Sequence, residues 1–399
     1  MADHIPFVTG DEVARLVKSV YADSDFVRVP LDRAERLLGA LLPVKAKLWL
    51  DPCVDGMDDL KTRRTEPTRR NQWFDFMAGL VGLDNLERVG SPSYHANPVM
   101  AEVSAFVVAV MDKCSCHKPS WITVPQIPLV NDSGRNKINR ALAKATGKWK
   151  SSSGFSGRLI LPLVFTNQKQ INGKTARNVK LEQAERCYHE SQADGLWVVD
   201  KSLTDDSGSP TLRNKRFPGV IALHEEINER IASKIRIAGP YWGLNLALWA
   251  RGLVDHPAIG IGSGYQLFLA GGHTKQASPK VALQSLRRRV GVGPQFKLWL
   301  EGVVAGLAPS HPAHAEIGGI IKNYDVLSQA SNARQQVARS YKQWFDTIAS
   351  APKAGRAIAL FQDLSAAFAF GRSLPALPND EGTARRPEAI AEPLMLNCL

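Results

Sequence analysis

Apolar residues recur at three- and four-residue spacing in Asp11 to Tyr21 and in Leu31 to Leu42, which predicts two amphipathic helices at the start of the chain. From Ala46 onward the pattern changes to short apolar or β-branched runs separated by longer helical segments. The runs are Lys47–Asp51 (KLWLD), Leu86–Ser91 (LERVGS), Trp121–Val130 (WITVPQIPLV), Arg158–Phe165 (RLILPLVF), Gly195–Asp200 (GLWVVD), Ile235–Pro240 (IRIAGP), Ala258–Ile261 (AIGI) and Leu267–Ala270 (LFLA). Candidate helices fall between most of them, at Thr68–Val81, Pro98–Met111, Arg135–Thr146, Ala176–Gln192, Phe217–Ser233 and Gly243–Arg251. Strands alternating with helices predict parallel βα units. Eight strands in about 225 residues suit a (β/α)8 barrel of roughly 250 residues better than a doubly wound sheet. The predicted fold class is therefore α/β, a TIM-like (β/α)8 barrel with N-terminal helices and a helical C-terminal extension. The weak join is between AIGI and LFLA, where no crossover helix fits.

After Lys280 the spacing turns helical again, over Val281–Val290, Gln295–Leu307, Tyr324–Ala349 and Gly355–Phe370. Leu374 to Leu399 is rich in Pro, Ala and charge without an apolar period, which predicts a flexible tail. The implied organisation is a helical lead-in over 1–45, a catalytic barrel over 46–280, a helical extension over 281–372 and a tail over 373–399.

Charge changes the picture most. The 399 residues carry 50 Lys and Arg against 38 Asp and Glu, a formal charge of +12, while 44% hydrophobic content excludes disorder for most of the chain. The most apolar stretch, Val99 to Met111, is too short to cross a bilayer and contains Glu102. The first residues lack the features of a signal peptide, and five cysteines without a framework spacing fit reduced thiols, so a cytoplasmic protein with no membrane partner is expected. A cytosolic excess of cations points to nucleic acid.

In a barrel of this kind the C-terminal ends of the strands form the active face. The run KLWLD, read as the first strand, ends in Asp51-Pro52-Cys53-Val54-Asp55-Gly56, which places two carboxylates at the mouth. Other strand ends offer Gln126, Asn167, Asp200 beside Lys201, and Tyr241-Trp242. Carboxylates, amides and aromatics together suit binding a planar heterocycle and breaking a bond to it: rings stack, amides read an edge, and a carboxylate stabilises an oxocarbenium-like sugar or activates water. The same residue types also serve as helix caps, turn formers and packing. The segment Ile259 to Gln266, which includes Tyr265, has glycines that admit close approach of a ligand, but it is neither a Walker loop nor a dinucleotide fingerprint. Cys114-x-Cys116-His117 lacks a fourth ligand, and no metal is expected.

The cations cluster. Arg135, Lys137, Arg140, Lys144, Lys148 and Lys150 fall in one stretch without a carboxylate. Lys61, Arg63, Arg64, Arg69 and Arg70 follow the Asp51 and Asp55 loop, and Arg213, Lys215 and Arg216 follow the Asp200 strand. Three basic loops on the catalytic face would neutralise phosphates.

The phrases KLWLDPCVDG, AERCYHESQADGLWVVDKS and IRIAGPYWGLNLALWARGLVDHPAIGIGSG resemble, in their order over Ala46 to Gly272, segments of the tRNA-guanine transglycosylase superfamily and its DNA-acting relatives. The resemblance implies a barrel with an Asp at the end of its first strand, matched by Asp51. Two parts of the pattern are missing: no Asp follows the Arg251–Asp255 phrase to act as covalent nucleophile, and the Cys-x-Cys-x-x-Cys zinc motif is absent. Keeping one carboxylate without the other favours water as acceptor. The resemblance thus implies a DNA N-glycosylase like those that excise modified bases, such as glucosylated hydroxymethylcytosine, in anti-phage defence. Asp51 would act with Asp55 or Asp200, while Gln126, Asn167, Tyr241, Trp242, Tyr265 and Gln266 would hold a base flipped from double-stranded DNA. No cofactor is needed. The alternatives are a base-exchanging transglycosylase of tRNA or DNA and a non-catalytic nucleic-acid-binding barrel.

Overall fold

A computed structural model describes residues 3–8, 10–41, 46–60, 71–130, 132–166, 170–200, 203, 210–260, 279–378 and 386–399. Eight parallel strands close into a barrel: β1 (Ile5–Phe7), β2 (Phe26–Pro30), β3 (Lys47–Asp51), β4 (Trp121–Thr123), β5 (Arg158–Phe165), β6 (Gly195–Asp200), β7 (Ile235–Ala238) and β8 (His256–Gly260). Closure is made by β1 against β8, with Ile5 opposite Ala258 and Phe7 opposite Gly260. The predicted α/β barrel is the fold.

Its membership differs from the prediction in ways that move the site. The barrel starts inside the expected lead-in, so KLWLD is the third strand and Asp51 closes β3, not the first strand. Both missed strands are short, and each breaks its apolar run, β1 with Pro6 and β2 with Arg28. LERVGS is helical: Gly82, at φ 82°, ends the helix Asn71–Val81, and Leu83–Gly90 buries Leu86 and Val89 at helical spacing. The run WITVPQIPLV contributes only its first three residues as strand, since Pro125 and Pro128 stop the ladder. LFLA lies outside the described residues.

Alternation decides what fills the barrel. Phe7, Trp49 and Trp197 meet inside it, Trp49 with ring centroids 5.6 Å from Phe7 and 5.3 Å from Trp197. Below them Trp121 stacks on Phe26 at 3.6 Å. The interior is a packed aromatic core rather than a pore, as layers of bulky inward side chains require.

Beyond the barrel, Val281–Val290 forms a hairpin in place of the predicted helix: β9 (Lys280–Leu283) pairs antiparallel with β10 (Arg288–Gly291). Alternate residues Val281 and Leu283 face a second core with Phe296, Leu300 and Ile317, so a period of two overrides the helical reading. The tail is also corrected over Arg386–Leu399, where Ile390, Ala391, Leu394 and Cys398 are buried in the main core. Its few apolar residues find a ready-made surface on the helix Arg356–Ser373, with a smaller contribution from Pro210–Arg230. No helix among the described residues is long and apolar enough to cross a membrane.

Candidate functional site at the barrel mouth

Inward alternation along β3 carries Asp51 to the mouth on the same side as Trp49. There Arg28 of the neighbouring β2 donates from Nε to Asp51 Oδ2 at 2.8 Å, and its Nη2 donates to the same oxygen. Asp51 Oδ1 accepts from the Cys53 backbone N–H at 2.8 Å. Arg28 and Asp51 are each 2% exposed. The Arg28 guanidinium lies 4.5 Å from the Phe7 ring centroid and 5.2 Å from that of Trp197. Burial opposes its charge, but Asp51, followed by Cys53 and Asp55, outweighs burial and holds its pKa above the ordinary value.

The turn after β3 is bent by Cys53, whose φ of 54° is unusual for a residue with a side chain. That bend lets its N–H reach back to Asp51, and Trp73 Nε1 fixes Pro52 by donating to its carbonyl at 3.0 Å. Burial, then Asp51, pushes the Cys53 thiol well above its usual pKa, so it stays protonated and unreactive. The chain continues into a short 3₁₀ turn, Val54–Asp59, which buries Asp55. Asp51 and Asp55 line one narrow cleft with Thr123, Gln126, Pro162, Val164 and Trp197. The expected pairing of Asp51 and Asp55 is therefore present.

Gln126 lines the cleft as expected, with its amide nitrogen committed to the carbonyls of Pro125 at 2.8 Å and Asn139 at 2.9 Å. Arg28, Thr123 and Trp197 were not singled out from sequence. Thr123 accepts from Trp49 Nε1 at 2.9 Å. The available signal was alternation: Thr123 is the inward residue two after Trp121, and Trp197 sits mid-strand in GLWVVD.

Asp200 is corrected. Trp197 points inward, so Asp200, three residues on, faces the outer helices. There it takes two bonds from Arg216, from Nε at 2.5 Å and from Nη2 at 2.6 Å, and both side chains are 1% exposed. It is a strut between β6 and the helix Pro210–Arg230, and Arg216 is consumed in the same pair. Tyr241 and Trp242 are corrected from base stacking to packing. Tyr241 accepts the Asp200 backbone N–H at 2.6 Å, and burial, with Asp200 nearby, pushes its pKa far up. Trp242 donates to the Arg287 carbonyl at 2.8 Å and packs on Tyr341. Neither lines the cleft. Asn167, Tyr265, Gln266, Lys61, Arg63, Arg64, Arg69 and Arg70 lie outside the described residues, as do the side chains of Arg213 and Lys215.

The cations of Arg135–Lys150 are not a loop on the catalytic face. They lie on the helix Ser133–Ser153, started by the Asp132 side chain, which accepts the Arg135 N–H at 2.8 Å, and ended by Gly154 at φ 67°. A helix of 21 residues spans about 30 Å. Arg135, in its first turn, pairs with Asp58 near the mouth at 2.8 Å, and Lys137 donates to the Ala96 carbonyl. Arg140 pairs with Glu190, whereas Lys150 pairs with Asp194, just before β6 and so at the opposite end of the barrel. Lys148 is exposed at that far end.

Cys114 is buried and Cys116 exposed, so the two thiols do not converge, and among the described residues no three metal-ligating side chains gather. Comparison with protein-family models and with curated proteins finds no match to this chain, so the fold and the Asp51–Asp55 cleft are what any assignment of function has to rest on.

Proposed function

We propose that the protein is a DNA N-glycosylase that hydrolyses the bond between sugar and a modified base at the C-terminal mouth of its barrel. The observation that carries the proposal is the pair of buried carboxylates, Asp51 and Asp55, brought together in one cleft at the strand ends. Carboxylates placed there would stabilise the positive charge that builds up on the sugar as the C1′–N bond breaks. Asp55 is the catalytic residue in this scheme. It takes a proton from water as the oxygen bonds to C1′, and the base departs with the electrons of the broken bond. Asp51, already neutralised by Arg28, is a fixed anion that shapes the cleft. The scheme takes as its substrate a nucleotide flipped from double-stranded DNA, which is how enzymes acting on a base reach it.

The test incubates the protein with modified and unmodified phage DNA and looks for abasic sites and released base by mass spectrometry. Release from modified DNA that is lost in Asp55→Asn is expected. Unchanged release in Asp55→Asn refutes the assignment of Asp55, and exchange of labelled free base into the DNA would indicate a transglycosylase. A second reading, a nucleic-acid-binding barrel without catalysis, is favoured by the saturation of Asp51, both of whose oxygens are already hydrogen-bonded. DNA binding with no abasic sites on any substrate would support it.

A further inference from the structure

We infer that the outer wall of the helix Ser133–Ser153 is a track for a nucleic-acid phosphate backbone, running down the side of the barrel and away from its mouth. Between Lys137 and Lys148 the exposed positions of this helix are Lys137, Arg140, Lys144 and Lys148, and every exposed position is a cation. At about 100° per residue the four fall within an arc of about 80°, and at 1.5 Å per residue they extend over roughly 16 Å. The intervening residues are buried or half-buried, so the row is dictated by which face the helix leaves outside.

Little opposes this charge locally. Glu190 is the acidic partner of the row, 2.6 Å from Arg140 and 3.8 Å from Lys144, which remain 48% and 46% exposed. Lys144 and Lys148 line a groove with Met100, Gly147, Ser151, Glu190 and Gln192. The groove is held by a close helix crossing at Gly147, where a Cβ would stand 2.2 Å from the Glu190 carbonyl oxygen. A narrow single file of cations matches a linear polyanion, whereas a lipid surface is better met by cations around a broad apolar face. Backbone binding here goes beyond the chemistry of the mouth, because it does not require that Asp51 or Asp55 cleave anything.

The test measures the affinity of a fluorescent DNA duplex by anisotropy between 50 and 200 mM salt. The variant Lys137→Gln/Lys144→Gln/Lys148→Gln is compared with a control of equal charge, Arg15→Gln/Lys322→Gln/Lys353→Gln, made at exposed cations elsewhere. Each lysine–phosphate pairing removed lowers the slope of log affinity against log salt by about 1, so the first variant should lose 2 to 3 of slope and at least tenfold in affinity at 50 mM. The control should keep most of both, and circular dichroism of both variants should match the parent. Equal losses in the two variants, or no loss in the first, would overturn the proposal. So would a preference of the parent for phosphatidylserine vesicles over the duplex that the first variant alone abolishes.

Discussion

Removing Arg28 should show whether the centre of the barrel depends on its ion pair. In Arg28→Met, Asp51 keeps the Cys53 N–H but loses the guanidinium paired with it, at a site where both partners are almost wholly excluded from water. An opposite pair at about 4 Å gains about 4 kcal/mol at an effective dielectric constant of 20, and breaking a buried pair from one side typically costs about 3–5 kcal/mol. The stacking of the guanidinium on Phe7 and Trp197 adds about 1 kcal/mol or more. Arg28→Met should therefore lose about 4 kcal/mol in urea unfolding, and Asp51→Asn, which strands the guanidinium, should lose a similar amount. The double variant removes both charges, while the amide oxygen introduced by Asp51→Asn can still accept the Cys53 N–H, so it should lose far less than the sum. A coupling of about 3 kcal/mol is expected. Losses that add to within about 0.5 kcal/mol would refute the view that the two residues are energetically one unit.

Acid should weaken the protein through two buried histidines. Burial lowers the pKa of both His4 and His224 to about 3, with Asp23 partly opposing the effect at His4 and Arg236 adding to it at His224. The unfolded chain, with histidines near 6.5, binds more protons between pH 6.5 and 3, so stability falls as pH drops through that window. From pH 7 to 5 each histidine accounts for about 2 kcal/mol, and His224→Gln should lose about 2 kcal/mol less than the parent over that interval in denaturant titrations; an identical loss would count against the buried neutral imidazole. The C-terminal segment should be part of the fold: Leu394 is fully buried, so Leu394→Ala should cost about 2–5 kcal/mol and lower the thermal midpoint, whereas a flexible tail would tolerate it.

Much of the architecture was legible because periodicity is local. RLILPLVF and GLWVVD are strands as read, the helix expected over Arg135–Thr146 is present but runs seven residues further, to Ser153, and the one expected over Ala176–Gln192 spans Lys174–Ser191. The carboxylate pair Asp51 and Asp55 was also visible, since a polar turn closing an apolar run marks a strand end. The errors share a cause. Strands of three to five residues such as IPF and FVRVP carry too few alternations to declare themselves, and LERVGS fits either period.

The sequence by itself determined that this chain alternates strand and helix, closes as a barrel-sized α/β unit and is strongly basic. Tertiary structure decided which charged residues are free to act. Arg28 became the counter-ion of Asp51 only because β2 lies beside β3, and Asp200 was turned outward to Arg216 by the parity of β6. The cations of residues 135–150 were drawn out along a helix rather than gathered at the mouth. Charge is written in composition, but whether a charge meets solvent, a ligand or another side chain depends on neighbours far away in the chain, and only the closed barrel sets those.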